Sequence, residues 1–180
     1  MVLSSPSGGG KTTVIRKLLN RHSELRCSVS ATTRSPRNGE QDGVDYHFVS
    51  RAVFRKKIQE NAFYEWARVH GNCYGTLKEQ VDAVLRNGGT LLLALDVQGG
   101  LHIKQSIPES VLVFLIPPSM EVLEQRLVQR GTEHPRVIAQ RLRDAAAEIK
   151  AADRYDYQII NNRLDDTVHE IEQLICFLNT

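Results

Sequence analysis

Ser4-Ser5-Pro6-Ser7-Gly8-Gly9-Gly10-Lys11-Thr12-Thr13 decides how this chain is read. The glycine run lets the backbone curl so that successive N–H groups point inward, and a helix starting at its end adds the positive pole of its dipole. The result is a socket for a polyanion. Lys11 is placed to reach the β- and γ-phosphates of a nucleoside triphosphate and the Thr12 hydroxyl to ligate Mg²⁺, with Ser5, Pro6, Ser7, Gly8, Gly9, Gly10 and Thr13 completing the phosphate site. The flanks are those such a loop requires. Apolar Val2-Leu3 precedes it, and Val14, Ile15, Leu18 and Leu19 follow at helical spacing. The pattern G-x-x-x-x-G-K-[ST] puts its first glycine where Ser5 stands, so a working loop requires Ser5 to keep φ below zero.

Outward from the loop, short apolar runs alternate with helical periodicity, the signature of crossover units on a parallel sheet. Strands are expected at 2–3, 27–30, 91–96, 111–116 and 157–160. Ser119 with Glu121 opens a helix carrying Leu123 and Leu127, and two more helices are expected over 136–153 and 164–178, the last led by Asp165-Asp166. Two stretches resist the pattern: 32–75 reads as loop-rich with isolated aromatics and arginines, and 130–135 as a short Gly/Pro break. In an open α/β sheet the ligand crevice lies beyond the carboxyl ends of the strands, so these stretches are candidates for a second-substrate site and a lid.

The bulk properties exclude several classes. With 180 residues, one α/β domain with insertions is the economical reading. A net charge of +2 with 24% charged residues is too balanced for a nucleic-acid surface and too mixed for disorder. Cys27, Cys73 and Cys176 are odd in number and form no C-x-x-C, which favours a reducing cytoplasm over a disulfide framework or zinc site. The six histidines show no metal-ligand spacing, and no secretory or membrane-length apolar run occurs.

The segment from Ser28 to Phe48 concentrates hydroxyls, Arg34, Arg37 and Tyr46. Arginines there can bind phosphate oxygens bidentately and Tyr46 can add a neutral donor, so a phosphate monoester is one reading; an ordinary solvated loop is the other. The wider pattern is more specific. The run S-V-S-x-T-T-R-x-P-R-x-G-E-x-x-G-x-D-Y-x-F, Glu65-Trp66-Ala67, Gly71-Asn72-Cys73-Tyr74-Gly75-Thr76, Asp96-Val97-Gln98-Gly99 and Arg130-Gly131-Thr132-Glu133 closely resemble the guanylate kinases, in order and over essentially the whole chain.

That resemblance implies a nucleoside monophosphate kinase of the phosphate-loop class that phosphorylates GMP, and dGMP with it, at the expense of Mg²⁺·ATP in purine nucleotide recycling. It implies a core of 1–31, 77–129 and 154–180, a GMP-binding region over 32–76 and a lid at about 130–153. Glu65 would accept from the guanine N1 and N2 donors, with Ser30, Thr76 and Asp96 completing the base pocket. Arg34, Arg37, Tyr46 and Tyr74 would hold the GMP phosphate. Arg126, Arg130 and Asn161 would serve the ATP side, and Lys11, Arg34, Arg130 and Arg141 the transferring phosphoryl group. Thr12 would ligate Mg²⁺, with Asp96 a candidate contact through water. Oligomeric state stays open.

Departures from the family pattern stand out. The strand at 91–96 carries Ala94 where the family commonly has a first acid, leaving Asp96 alone. The lid reads Glu133-His134-Pro135-Arg136, less acidic than usual, and Cys73 replaces a more usual aromatic or His, so its alkylation is expected to slow turnover, with protection by GMP. The first strand is short, and whether a native start lies further upstream stays open. Three rivals have weaker support. An interaction module of the same fold typically lacks the phosphate loop, a GTP switch needs an [NT]-K-x-D motif that is missing here, and Glu65 with the Ser30 and Thr76 hydroxyls disfavours another monophosphate.

Overall fold

A computed structural model of the chain describes residues 1–69, 71–129 and 135–178. Its frame is a five-stranded parallel sheet in the order β2-β7-β1-β8-β9, formed by Arg26–Cys27, Leu91–Leu95, Val2–Ser4, Leu112–Ile116 and Tyr157–Ile160. The central strand β1 pairs on both sides, Val2 to Leu93 and to Leu112. Such a strand is covered above and below, which is why these runs are continuously apolar instead of alternating with polar residues.

Alternation along β7 sorts its leucines into two cores. Leu92 joins Leu3, Val113, Leu115 and Ile159 against helices α1 (Lys11–Arg21) and α7 (Leu164–Leu178), through Val14, Ile15, Leu18, Val168 and Ile171. Leu91, Leu93 and Leu95 join Val2, Leu112 and Phe114 on the other face. There α3 (Lys78–Arg86) supplies Val81 and α4 (Val97–Ser106) supplies Ile103. The layers are therefore helix, sheet, helix.

Beyond the sheet, α5 (Met120–Gln129) packs against α6 (Pro135–Lys150) through Leu123, Leu127 and Ala145, and a 3₁₀ turn, Ala151–Arg154, leads from α6 into β9. The helix expected over 136–153 is thus two pieces.

Two expectations change. The strand expected at 27–30 is only Arg26–Cys27. Ser28 N–H still reaches the Leu92 carbonyl of β7 at 3.0 Å, but the pairing stops there, because the Val29 N–H turns to Gln80 Oε1 on α3 at 2.9 Å. The region 32–75 is loop-rich only over 33–46. It folds as a second sheet, β4-β3-β6-β5, of His47–Phe48, Ala31–Thr32, Asn72–Leu77 and Phe63–Val69, with α2 (Arg51–Gln59) across it. Two of those strands have only two residues each, too few to show a period.

This small sheet has its own core of Ala31, Phe54 and Phe63, with the two phenyl rings stacked 4.7 Å apart. A register shift between Phe63 and Glu65 re-aims the rest of β5. Phe63 and Trp66 both pack on Phe54, while Glu65, Ala67 and Val69 point into the cleft between the two sheets. Strict alternation would have kept Phe63 and Glu65 on one face.

Leu92 is fully buried at the centre of the α1/α7 core. Its truncation to Ala is expected to lower unfolding stability by about 2–5 kcal/mol in urea titration, the range for cavity-forming changes. A cost below about 0.5 kcal/mol would contradict the layered core.

Candidate active site

The carboxyl ends of β1, β7 and β9 carry the chemistry. β1 runs straight into the phosphate loop, and α1 starts at Gly10, which sits in the left-handed region at φ 92°. No side chain caps this helix, so the first-turn N–H groups are left to the loop. Gly8 also has φ 88°, whereas a Cβ on Gly9 would lie 2.8 Å from the Ser5 Cβ. Gly9 is therefore needed for room and not for backbone freedom. Ser5 is not in the left-handed region: among the described residues, Asn61 is the one non-glycine residue with positive φ.

The loop is strapped from the far end of the sheet. Asn161, at the end of β9, donates from Nδ2 to the Gly9 carbonyl at 2.7 Å, and the Thr167 hydroxyl holds its Oδ1 at 3.0 Å. Arg126 Nη2 donates to the Asn161 carbonyl at 3.0 Å, and Arg126 Nη1 is buried with no partner among the described residues. A Cβ on Gly10 would lie 2.5 Å from Asn161 Nδ2. Arg126 and Asn161 line, with Gly8, Gly10, Thr13 and Gln129, a recess of about 370 Å³ beside the loop.

The main cleft, about 390 Å³, is lined by Ser5 to Thr13, Ser30, Arg34, Arg37, Tyr46, Glu65, Tyr74, Asp96 and Arg141. At one end Arg34 stacks its guanidinium 5.4 Å from the Tyr46 ring and pairs with Glu40 Oε1 at 2.8 Å, while Glu40 Oε2 accepts from the Arg37 N–H at 2.7 Å. Tyr46 and Tyr74 meet edge to face at 5.9 Å. This end offers two guanidinium groups and two phenols to an anion.

At the floor, Glu65 is 7% exposed and its Oε1 accepts from the Thr76 hydroxyl at 2.6 Å. Thr76 itself is fully buried and does not line the cleft. Gly99 makes room, since a Cβ there would lie 2.9 Å from Glu65 Oε2. Burial pushes the Glu65 carboxyl up to about 7, with the Asp96 charge adding to the rise and the Thr76 hydroxyl opposing it.

At the other end, the Lys11 ammonium donates to the Leu95 carbonyl, and Asp96 caps α4 by accepting the Gly99 N–H at 2.7 Å. Burial lowers the Lys11 pKa, opposed first by the Asp96 charge and then by Glu148. From α6, Arg141 Nη1 donates to the Ser7 hydroxyl at 3.1 Å.

Not every expectation falls in this cleft. Arg130 and residues 131–134 lie outside the described residues; of the stretch expected as a lid, the described part is α6 and the 3₁₀ turn. Cys73 packs on the Phe54/Phe63 core, on the strand face away from Tyr74, and is not among the cleft residues. Glu148 and Asn72 line the cleft and were not singled out from the sequence. Asn72 sits in Gly71-Asn72-Cys73-Tyr74-Gly75-Thr76 and Glu148 in Ala145-Ala146-Ala147-Glu148, where nothing distinguishes it from a solvated helix carboxylate.

A family model described as "Guanylate kinase" matches residues 1–177. The chain belongs to the guanylate kinase family. It is 47% identical over 174 residues to a guanylate kinase of Syntrophotalea carbinolica, covering 97% of this chain and 83% of the relative. A guanylate kinase of Clostridium perfringens is 43% identical over 175 residues, with 97% and 81% covered. The crystal structure of guanylate kinase from Anaplasma phagocytophilum superimposes with a TM-score of 0.80 at 35% identity, over 97% of this chain and 82% of that one. Phosphate-loop architecture and parallel sheet are thus family properties. Among the described residues, no helix is long and apolar enough to cross a membrane.

The raised carboxyl of Glu65 gives a pH test. Its folded value of about 7 exceeds the ordinary 4.5, so the folded chain holds more protons between those values than the unfolded one. The contribution of Glu65 to stability is complete below the lower value and is lost as pH rises through the upper one. Glu65→Gln should therefore gain stability relative to the unsubstituted chain from about pH 5 to about pH 8, on the order of 3 kcal/mol, in urea titrations without nucleotide. A pH-independent difference would contradict the burial of this group.

Proposed function

We propose that the chain transfers the γ-phosphoryl group of ATP to GMP, giving ADP and GDP, with dGMP as a second acceptor. The observation that carries this reading is the Glu65 carboxylate, buried at the floor of a cleft with the phosphate loop at one end and Arg34, Arg37, Tyr46 and Tyr74 at the other. Guanine presents two adjacent N–H donors, and an ionised carboxylate presents two acceptors. Adenine would leave this buried carboxylate without those donors, a mismatch that can reject the wrong base by as much as ~10⁴-fold. Ser30 and Asp96 stand beside the base, and Thr76 acts through Glu65 by fixing its Oε1.

The acceptor is itself a phosphate with a second pKa of about 6, mostly ionised at neutral pH, so the reaction asks for no dedicated base. Transfer then rests on positioning and charge neutralisation. Lys11 and the N–H groups of the loop take the β- and γ-phosphates; Arg34 and Arg37 hold the acceptor phosphate. Arg141, already at Ser7, stands beside the path of the transferring group. The recess of Arg126 and Asn161 takes the adenosine side.

The donors suit a hydrated divalent cation. The Thr12 hydroxyl is exposed at the helix start, Asp96 lies across the cleft, and Glu148 Oε2 is buried with no partner among the described residues. Among the described residues, no group of three acidic, His or Cys side chains stands close enough to hold a metal, and Mg²⁺ would take most of its oxygens from phosphate and water. When bound it would neutralise charge on the transferring oxygens. The GMP-binding part corresponds to the small sheet over 32–76 and the lid to about 130–153, with the remainder as core. The work fits a cytoplasmic enzyme of purine nucleotide recycling whose partners are its small-molecule substrates, with neither nucleic acid nor membrane required.

A coupled assay of ADP formation across GMP, dGMP, AMP, UMP and TMP checks the reading. Turnover with GMP and dGMP alone, abolished by Lys11→Met, is expected. Preference for AMP, or activity that survives the Lys11 substitution, would contradict it.

A further inference from the structure

Helix α6 reaches the phosphate loop through two side chains seven residues apart, hence on one helix face. Arg141 Nη1 donates to the Ser7 hydroxyl at 3.1 Å, and the Glu148 carboxylate faces the Ser7 backbone N–H. Glu148 Oε2 is buried and unpartnered among the described residues, although the side chain lines the cleft that holds Lys11, Thr12 and Asp96. A buried carboxylate oxygen with no donor costs about 1–3 kcal/mol or more, so it marks a place where a donor or a cation arrives.

The same cleft wall lacks an acid where one would be close to hand. Residues 92, 94 and 96 share the α1 side of β7, and position 94, which lines the cleft, is Ala. Asp96 spends its Oδ1 on capping α4, leaving it half committed. Lys11 shares the cleft with two carboxylates that come from different elements, Asp96 from the sheet and Glu148 from α6, and feels the charge of both.

We infer that Glu148 is the second carboxylate of the divalent-cation shell, acting through bound water, and so a positioning residue for phosphoryl transfer. It supplies from α6 what β7 does not supply at Ala94. Because the same face of α6 carries Arg141, which donates to the Ser7 hydroxyl, the cation shell and the seat of α6 on the phosphate loop come from one helix face. Cation binding and docking of α6 are therefore linked, and each favours the other.

The inference rests on the kinase reading, and the two fail separately: a wrong acceptor preference in the turnover assay sinks that reading, whereas the measurement here concerns the cation alone. Mn²⁺ affinity of the full chain saturated with ADP is measured by electron paramagnetic resonance, beside GMP affinity by calorimetry and the melting temperature. Glu148→Gln keeps an acceptor for the Ser7 N–H and removes the charge. Its Mn²⁺ affinity should fall ~10-fold, as for other outer-shell ligands, with GMP affinity and melting temperature little changed. Ala94→Asp in that background should recover most of the loss. Mn²⁺ affinity within about twofold of the unsubstituted chain, or a parallel fall in Mn²⁺ affinity, GMP affinity and melting temperature, would overturn the inference. Should Glu148→Gln not fold, Ala94→Asp alone decides: it should tighten Mn²⁺ beside Glu148, and no change would count against the assignment.

Discussion

Parallel pairing of the three-residue strand β1 with both β7 and β8 is the constraint on which the rest depends. Parallel strands all present their carboxyl ends to one edge, and here that edge receives the phosphate loop from β1, Asp96 from β7 and Asn161 from β9. None of these groups is near another in sequence. The sheet makes them neighbours, and Asn161 then holds the Gly9 carbonyl so that the loop keeps its shape before any ligand arrives. The cost of building an anion socket from unpaired N–H groups is met by burial of the leucines and valines beneath it.

The second sheet solves a different problem, that of aiming one carboxylate into a dry place. Glu65 must point at the cleft while Phe63 two residues earlier must pack on Phe54. The register shift in β5 allows both, and Gly75 and Gly99 keep space for the two side chains, since a Cβ at either would approach Phe63 or Glu65 within 3 Å. With Thr76 holding one oxygen, the group is fixed in position yet has a raised proton affinity. Occupation by two N–H donors is what would favour its ionised form.

Legibility in the sequence follows from the range of the signal. The phosphate loop, the apolar strands other than β2 and helix α7 are local patterns, and each is found within a residue of where the sequence indicates. The small sheet escaped because β3 and β4 are two residues long and β5 breaks its own alternation. For the site, Glu65, Arg34 and Tyr46 were legible through family motifs, not through any periodicity. Thr76 and Asn161 are visible in the sequence as well, but what they touch, a carboxylate and a loop carbonyl, belongs to the fold. Glu148 had no signal at all, because a glutamate among alanines on a helix announces only a solvated face until packing lays that face over a phosphate loop.

The central claim is that the buried Glu65 carboxylate selects guanine. The most direct measurement is the ratio of kcat/KM for GMP over AMP in the unsubstituted chain and in Glu65→Gln, with ATP saturating. The account predicts that the ratio collapses by ~10²-fold or more in the variant, because the amide replaces one of the two acceptors by a donor. A ratio that stays the same while both rates change together would contradict it.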